Sequence, residues 1–110
     1  MTSSENKRKI GDDFEKIVLT KLGPTFLPTA GSGSVFKDGD LQHQSLVVEC
    51  KVKGNSATFA ISKTEMDHLL KQSELQGKDW MFIEKNRDGR IMVLMELDAL
   101  IEISEGTIAL

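Results

Sequence analysis

The chain has 110 residues, of which 39% are hydrophobic and 28% charged, and its net charge is -3. This composition is that of a folded globular protein, and the length suits a single domain over residues 1–110. The longest apolar run is too short to span a membrane, and the first residues lack the apolar stretch of a secretory signal. Cys50, the single cysteine, cannot form an internal disulfide, so we expect a reducing, cytoplasmic setting. The mildly acidic balance neither supports nor excludes a nucleic-acid partner, because a metal site also concentrates carboxylates.

The first predicted element is a helix from Glu5 to Leu22, which Gly23-Pro24 stops. Its apolar residues recur at helical spacing and form one stripe, made of Ile10, Phe14, Ile17, Val18 and Leu22. Phe26 and Leu27 indicate a short strand or an extended entry into the core. The small residues from 29 to 34 that follow favour a functional loop over a regular element.

An alternating segment from Leu46 to Lys53 is the most informative local pattern and predicts a strand. One face of this strand is apolar, with Leu46, Val48, Cys50 and Val52 directed into the core. The other face carries Val47, Glu49, Lys51 and Lys53. Leu41 and Gln42 are predicted to form the preceding antiparallel strand, joined through a tight turn at residues 43–45. Glu49 and Lys51 therefore lie side by side on one surface of the sheet.

The second half of the chain predicts a short strand, a helix and a hairpin. The short strand is Thr58–Ile61, and a capping box of Ser62 and Glu65 opens a helix that runs to about Gln76. The inner face of this helix is predicted to carry Met66, Leu69, Leu70 and Ser73, with Gly77 after its end. The hairpin pairs residues 80–84 with residues 91–95 through a turn at 86–89. Residues 98–103 fit either a helical turn or a last strand. The order predicts an α/β domain with a central mixed sheet flanked by helices.

Three of these residues form a pattern that suits phosphodiester hydrolysis, namely Asp40, Glu49 and Lys51. Carboxylates on neighbouring strands can converge on one cation, and ligands that are all oxygen select magnesium or manganese over zinc. The backbone carbonyl of Cys50 lies between two of these residues and can supply another oxygen. Lys51 can orient the attacking water and contact the phosphate. Glu15, one helical turn after Gly11, can reach over the sheet as an outer metal ligand.

An acidic residue, a short spacer and Glu-x-Lys on an apolar strand resemble the PD-(D/E)XK nuclease superfamily. Within it, the chain looks most like archaeal-type Holliday-junction resolvases and their phage relatives. The likeness includes a first helix with Gly11 and Glu15, a Gly/Ser loop at residues 31–34, and Ile61-Ser62-Lys63 leading into a helix. It covers roughly residues 8 to 85. Gly39 stands where the family usually has proline, and Asp38 is an alternative to Asp40 that the spacing to Glu49 disfavours.

This resemblance implies a restriction-endonuclease-like core and a Mg2+-dependent endodeoxyribonuclease, with Mn2+ able to substitute. Asp40, Glu49, Lys51 and Glu15 would be catalytic, and Glu15, Asp40, Glu49 and the Cys50 carbonyl would bind metal. Ser32 or Ser34 would contact the scissile phosphate. The enzyme would be a homodimer that cuts four-way DNA junctions in a bacterial, archaeal or phage-infected cell. Exposed apolar surface on the second helix or at residues 91–103 would form the dimer contact.

Several alternatives stay open from the sequence. The substrate can instead be other branched, flapped or duplex DNA, or the chain can bind DNA without cutting it. Lys53 fits a DNA contact and a solvated strand residue equally well, and the run Lys7, Arg8 and Lys9 fits either a solvated face or a phosphate contact. Glu15 can be a solvated helix residue, and the Gly/Ser loop can be a plain flexible connection. His43 and His68 lack the spacing of metal ligands and are interpreted as surface or turn residues.

Overall fold

The computed structural model describes residues 3–29 and 40–110. Its elements are α1 (Ser3–Leu22), β1 (Leu27–Pro28), β2 (Leu41–Gln42), β3 (Leu46–Val52), α2 (Lys63–Gln76), β4 (Asp79–Lys85), β5 (Ile91–Met95) and α3 (Leu97–Ser104). The strands form one sheet in the order β1-β2-β3-β4-β5. β3 and β4 are parallel, and the other neighbouring pairs are antiparallel. The predicted α/β fold with a mixed sheet and flanking helices is confirmed.

The two faces of β3 define two hydrophobic cores. Leu46 and Val48 pack with Phe14 and Val18 of α1 on one face, and Cys50 lies against the same cluster. The opposite face carries Val47, which packs with Leu69, Trp80 and Phe82. α1 and α2 therefore cover opposite faces of the sheet, as the alternation in β3 predicts. Glu49 and Lys51 share the α2 side with Val47.

Helix α2 begins at the predicted capping box. The Ser62 hydroxyl accepts a hydrogen bond from the Glu65 backbone N–H at 3.1 Å, and the Glu65 carboxylate accepts one from the Ser62 N–H at 3.2 Å. Gly77 follows the helix with φ of 63°, a left-handed conformation that glycine adopts without strain. The predicted inner face is wrong at Leu70, which is 37% exposed whereas Leu69 is fully buried. The contact between helix and sheet is one residue wide here, which leaves the neighbouring leucine in solvent.

The first helix also buries a narrower stripe than its apolar pattern predicts. Phe14 and Val18 are buried, but Ile10 is 53% and Ile17 41% exposed. These two isoleucines lie on the flanks of the stripe, beyond the residues that touch the sheet.

The segment before α2 is irregular, so the strand predicted at Thr58–Ile61 is wrong. Its backbone groups bond to distant side chains instead of to a neighbouring strand. The N–H of Ala60 donates to the Glu84 carboxylate at 3.0 Å, and the carbonyl of Ala60 accepts from Lys53 Nζ at 2.6 Å. The carbonyl of Ala57 accepts from the Asn86 amide at 2.8 Å. Side chains of β4 and of the turn after it therefore fix the course of the chain into α2.

The C-terminal half forms the predicted hairpin and ends in a helix. β4 and β5 pair through a turn in which Asn86 accepts from the N–H groups of Asp88 and Arg90, and Gly89 has φ of 81°. Residues 98–103, which the sequence predicted as either a helical turn or a strand, belong to α3. Across residues 3–29 and 40–110, none of the helices combines the length and the apolar character that crossing a membrane requires.

His43, in the turn between β2 and β3, is tied to the C-terminal tail. Its Nε2 lies 2.8 Å from the carbonyl oxygen of Ala109, and its Nδ1 accepts from the Ser45 N–H at 3.0 Å. Ile108 is buried against the α1-side core. His43 is a turn residue, as predicted, but only 6% of it is exposed, so the surface interpretation is wrong.

Candidate active site

Asp40 lies immediately before β2, and its side chain reaches across to β3. Sheet pairing between these strands covers Leu41↔Val48 and Gln42↔Val47. Just beyond it, the backbone N–H of Asp40 donates to the Val48 carbonyl at 2.8 Å, and Asp40 Oδ2 accepts from the Cys50 N–H at 2.7 Å. The carboxylate thus accepts a hydrogen bond from β3 that a backbone carbonyl would accept if the strand pairing continued. Asp40 is therefore held beside the peptide that joins Glu49 to Cys50.

Glu49 and Lys51 project from β3 towards α2, where Lys51 faces the carboxylate of Glu65 and Glu49 faces the imidazole of His68. Lys51 Nζ lies 3.2 Å from Glu65 Oε2, and Glu49 Oε1 lies 3.9 Å from His68 Nε2. Glu49, Thr64, Glu65, His68 and Phe82 line an open cleft of about 280 Å³, which we call the α2 cleft. Glu49, one of the predicted pair, thus lies at the wall of a cleft that solvent can enter.

The carboxyl of Glu65 at this site has a shifted pKa. Partial burial raises the pKa of its carboxyl, but hydrogen bonds from Ser62 and from Lys51, together with the charge of Lys51, lower it by more. The pKa of Glu65 therefore lies below its ordinary value. Glu65 is ionised at neutral pH and keeps a full negative charge next to the ammonium of Lys51.

A second cleft opens where α1 meets the end of β3. It has a volume of about 570 Å³, and we call it the α1 cleft. Its lining is Lys7, Ile10, Gly11, Cys50, Lys51, Val52, Gly54 and Asn55. Lys7 gives its wall a cation, and a Cβ added to Gly11 would meet nothing within 4 Å. Lys51 also borders the cleft, but its ammonium is directed to Glu65 on the α2 side of the sheet. The lack of a side chain at Gly11 leaves the cleft open. No neighbouring atom lies close enough to require glycine at this position.

Glu15 lies one turn after Gly11 on α1 and is half-buried. α1 covers the opposite face of the sheet from Glu49, so these two carboxylates can meet only around a sheet edge. In the described residues, no three His, Cys, Asp or Glu side chains are close enough to hold a metal ion by themselves. Mg2+ usually takes one or two protein carboxylates and completes its shell with water and substrate phosphate. Asp40 and Glu49 fit that donor set.

The remaining predicted DNA contacts have different placements. Ser32 and Ser34 lie outside the described residues. Arg8 and Lys9 are exposed on α1. Lys53 is only 24% exposed, and its ammonium lies 3.4 Å from Glu84 and 2.6 Å from the Ala60 carbonyl. Its charge is directed into the protein, which gives Lys53 a structural role; a DNA contact at Lys53 stays a prediction.

Two residues at the α2 cleft were not predicted as site residues from the sequence. Lys7, which the sequence offered with Arg8 and Lys9 as a phosphate contact, lines the α1 cleft and precedes Gly11 and Glu15 at intervals of four. Glu65 and His68 are three residues apart on α2, so they share one helix face. The capping box explains Glu65 completely at the sequence level, and this concealed its second role beside Lys51.

The fold is a small mixed sheet covered by helices on both faces. A solved structure with this fold is Hjc, a Holliday junction resolvase from Archaeoglobus fulgidus, an archaeal hyperthermophile. The two chains share 20% identity and a TM-score of 0.57, over 76% of this chain and 73% of Hjc. The resolvase-like fold predicted from the sequence is therefore confirmed. No protein-family model and no curated protein sequence matches the chain.

Proposed function

We propose that this chain is a metal-dependent endodeoxyribonuclease that resolves four-way DNA junctions, with residues 1–110 acting as one nuclease domain. The observation that supports this most is the placement of Asp40. Its carboxylate accepts a hydrogen bond from the N–H of Cys50, between Glu49 and Lys51, on a fold similar to that of a Holliday junction resolvase. An acidic residue held beside a Glu-x-Lys strand can bind a divalent cation next to a phosphodiester and place a lysine at the same phosphate.

Each site residue has a distinct task in this proposal. Asp40, Glu49 and the carbonyl of Cys50 would hold Mg2+, or Mn2+ in its place, and Glu15 would be an outer metal ligand. The bound ion supplies Lewis acidity and neutralises negative charge on the phosphate. Lys51 contacts the scissile phosphate and orients the attacking water. Water adds to phosphorus, the bond from phosphorus to the 3′ oxygen breaks, and the products carry a 5′-phosphate and a 3′-hydroxyl.

The DNA backbone enters the α1 cleft in this proposal. Lys7 lines that cleft, Lys51 borders it with its ammonium directed to Glu65, and Arg8 and Lys9 are exposed on the same helix as Lys7. Cations on one stretch of surface supply the sequence-independent part of DNA binding. Ser32 or Ser34 would add a hydroxyl contact to the phosphate. The single cysteine fits the reducing cytoplasm of a bacterial, archaeal or phage-infected cell.

The proposed active form is a homodimer, because a four-way junction has two strands to cut at positions related by pseudo-two-fold symmetry. Large apolar side chains are exposed on β5 and α3, at Met92, Val93, Leu94, Leu97, Leu100 and Ile101. An apolar surface of this kind is typical of a contact between subunits. Sedimentation equilibrium at assay concentrations should give twice the mass of the chain, and a monomer that resolves junctions would contradict the dimer.

The test of the proposed function is cleavage of matched DNA substrates in Mg2+. A labelled four-way junction, a flap and a linear duplex of the same sequence are each incubated with wild-type protein and with Lys51→Ala. We expect the wild type to cut the junction in preference to the other two and Lys51→Ala to bind without cutting. Equal cleavage of all three substrates would favour a general nuclease. Binding without cleavage by the wild type would favour a non-cleaving member of the fold.

Replacing Gly11 with leucine tests whether DNA occupies the α1 cleft. Leucine is a better helix former than glycine by roughly 0.5–1 kcal/mol, so the variant should be at least as stable as the wild type. Its side chain would project into the cleft, and we expect junction affinity to fall about tenfold, or about 1.4 kcal/mol. Thr20→Ala, on an exposed part of α1 outside the cleft, is the matched control. Unchanged junction affinity in Gly11→Leu, measured by fluorescence anisotropy, would place the DNA elsewhere.

A further inference from the structure

The side chain of Glu65 makes contacts in two directions. Its Oε1 accepts the hydrogen bond from the Ser62 N–H that closes the capping box, at 3.2 Å. Its Oε2 lies 3.2 Å from Lys51 Nζ. The capping box fixes one end of the carboxylate at the first turn of α2, so the other oxygen is presented to Lys51 in a defined place. Only 28% of the Glu65 side chain is exposed, compared with 45% of the Lys51 side chain.

The side chains of β3 and α2 that face each other across the site are matched in pairs. Glu49 and Lys51 are two residues apart on the strand, and His68 and Glu65 are three residues apart on the helix. Two strand residues advance about 6.6 Å, and three helix residues advance about 4.5 Å, so the helix can present one partner to each. The contacts are Glu49 with His68 and Lys51 with Glu65. α2 therefore forms a second wall of the site.

We propose that Glu65 is a positioning residue that holds the ammonium of Lys51 in place for the reaction. This inference rests on the proposed function, in which Lys51 contacts the scissile phosphate. A lysine has four rotatable bonds in its stem, and nearly half of this side chain is exposed. The carboxylate of Glu65 restricts that freedom because the capping box already fixes the carboxylate. α2 thus contributes a residue to the site although it lies outside the Asp40 and Glu-x-Lys segments.

A positioning role has opposite effects on substrate binding and on turnover. The carboxylate of Glu65 repels a phosphate that approaches Lys51, so its removal should strengthen DNA binding. The same removal releases the lysine from its fixed place, and a misplaced catalytic group slows the reaction step. A change that only loosened the fold would weaken both. The direction of the change in KM therefore separates positioning from a purely structural contribution.

The decisive variant is Glu65→Gln, because glutamine can still close a capping box and has lost only the charge. We expect kcat for junction cleavage to fall roughly tenfold and KM to fall by roughly two- to fivefold. Nitrogen-15 relaxation of the Lys51 ammonium, recorded without DNA, should show larger motion in Glu65→Gln than in the wild type. Ser62→Ala removes the cap hydroxyl but keeps the charge, and Glu74→Gln removes an exposed charge elsewhere on α2. Both controls should keep Lys51 ordered, and Glu74→Gln should keep wild-type kcat.

The outcomes separate this inference from the proposed function. A wild-type protein that cuts no DNA would overturn the proposed function, whatever the motion of Lys51. If the wild type cuts and Glu65→Gln has the same kcat, KM and lysine motion, the role of Glu65 is overturned and the nuclease stands. A parallel loss of stability and a rise in KM in Glu65→Gln would show a structural contribution only, and would also overturn the positioning role.

Discussion

Replacing Asp40 with asparagine should lower the rate of DNA cleavage at least about 100-fold and leave the fold intact. Asparagine has the same shape, and its amide oxygen can still accept the hydrogen bond that the Cys50 N–H donates to Asp40. The substitution removes the negative charge, and a neutral amide is a weaker ligand than a carboxylate for a hard divalent cation. A 100-fold loss corresponds to about 2.7 kcal/mol of transition-state stabilisation. Single-turnover cleavage of a four-way junction in Mg2+ measures it.

Asp40→Ala is the control that separates charge from structure. Alanine loses the acceptor as well as the charge, so the Cys50 N–H is left without this partner. We expect a further loss of roughly 1.5–3 kcal/mol in the free energy of unfolding, the usual contribution of a hydrogen bond to a charged group. Asp40→Asn should unfold like the wild type in urea. Wild-type cleavage by Asp40→Asn would remove Asp40 from the catalytic set and reopen the role of Asp38.

Glu84→Ala should destabilise the protein by roughly 2–4 kcal/mol, a larger effect than most single substitutions have. The Glu84 side chain is 3% exposed, and its carboxylate receives the Ala60 N–H at 3.0 Å and faces Lys53 Nζ at 3.4 Å. The alanine variant removes the acceptor for Ala60 and leaves a half-buried ammonium without its carboxylate. The partial exposure of Lys53 softens the cost, since solvent screens its charge. Urea unfolding followed by circular dichroism measures the change.

A double variant shows how much of this loss of stability comes from the unpaired charge of Lys53. Glu84→Ala with Lys53→Met removes both charged groups, so no ammonium is left unpaired. The double variant should be more stable than the sum of the two single changes implies, because removing both partners of a buried pair is milder than removing one. Additive effects, or a Glu84→Ala variant within 0.5 kcal/mol of the wild type, would show that this contact does not anchor the loop.

The parts of the fold that the sequence predicted well are those that neighbouring residues determine. The alternation in β3 follows from the period of a strand, and it assigned Cys50 to the core and Glu49 to the opposite face. The start of α2 follows from Ser62 and Glu65, which bond to each other within one turn. Asp40 was chosen by its spacing from Glu49, and the structure brings its carboxylate to the backbone beside that residue.

The parts that the sequence did not predict depend on partners far along the chain. Residues 58–61 resemble a strand in composition, but their backbone groups are bound by Lys53 and Glu84. His43 has the sequence surroundings of an exposed turn, and its burial depends on Ala109, 66 residues away. The contact between Lys51 and Glu65 exists only because the crossover from β3 to β4 lays the start of α2 over β3. Each of these requires knowledge of the folded topology.

The hydrogen bond between His43 and Ala109 joins the C-terminal residues to the turn that follows Asp40 and β2. The turn that contains His43 connects β2 to β3, and Asp40 is the residue directly before β2. Ile108, the residue before Ala109, is buried in the core. Detachment of the C-terminal residues would therefore remove a buried apolar side chain and the hydrogen bond that holds the turn. We therefore expect the tail and the turn after β2 to open together in local unfolding. A fusion or binding partner that pulled on Leu110 should loosen this turn, three residues after Asp40 in the chain.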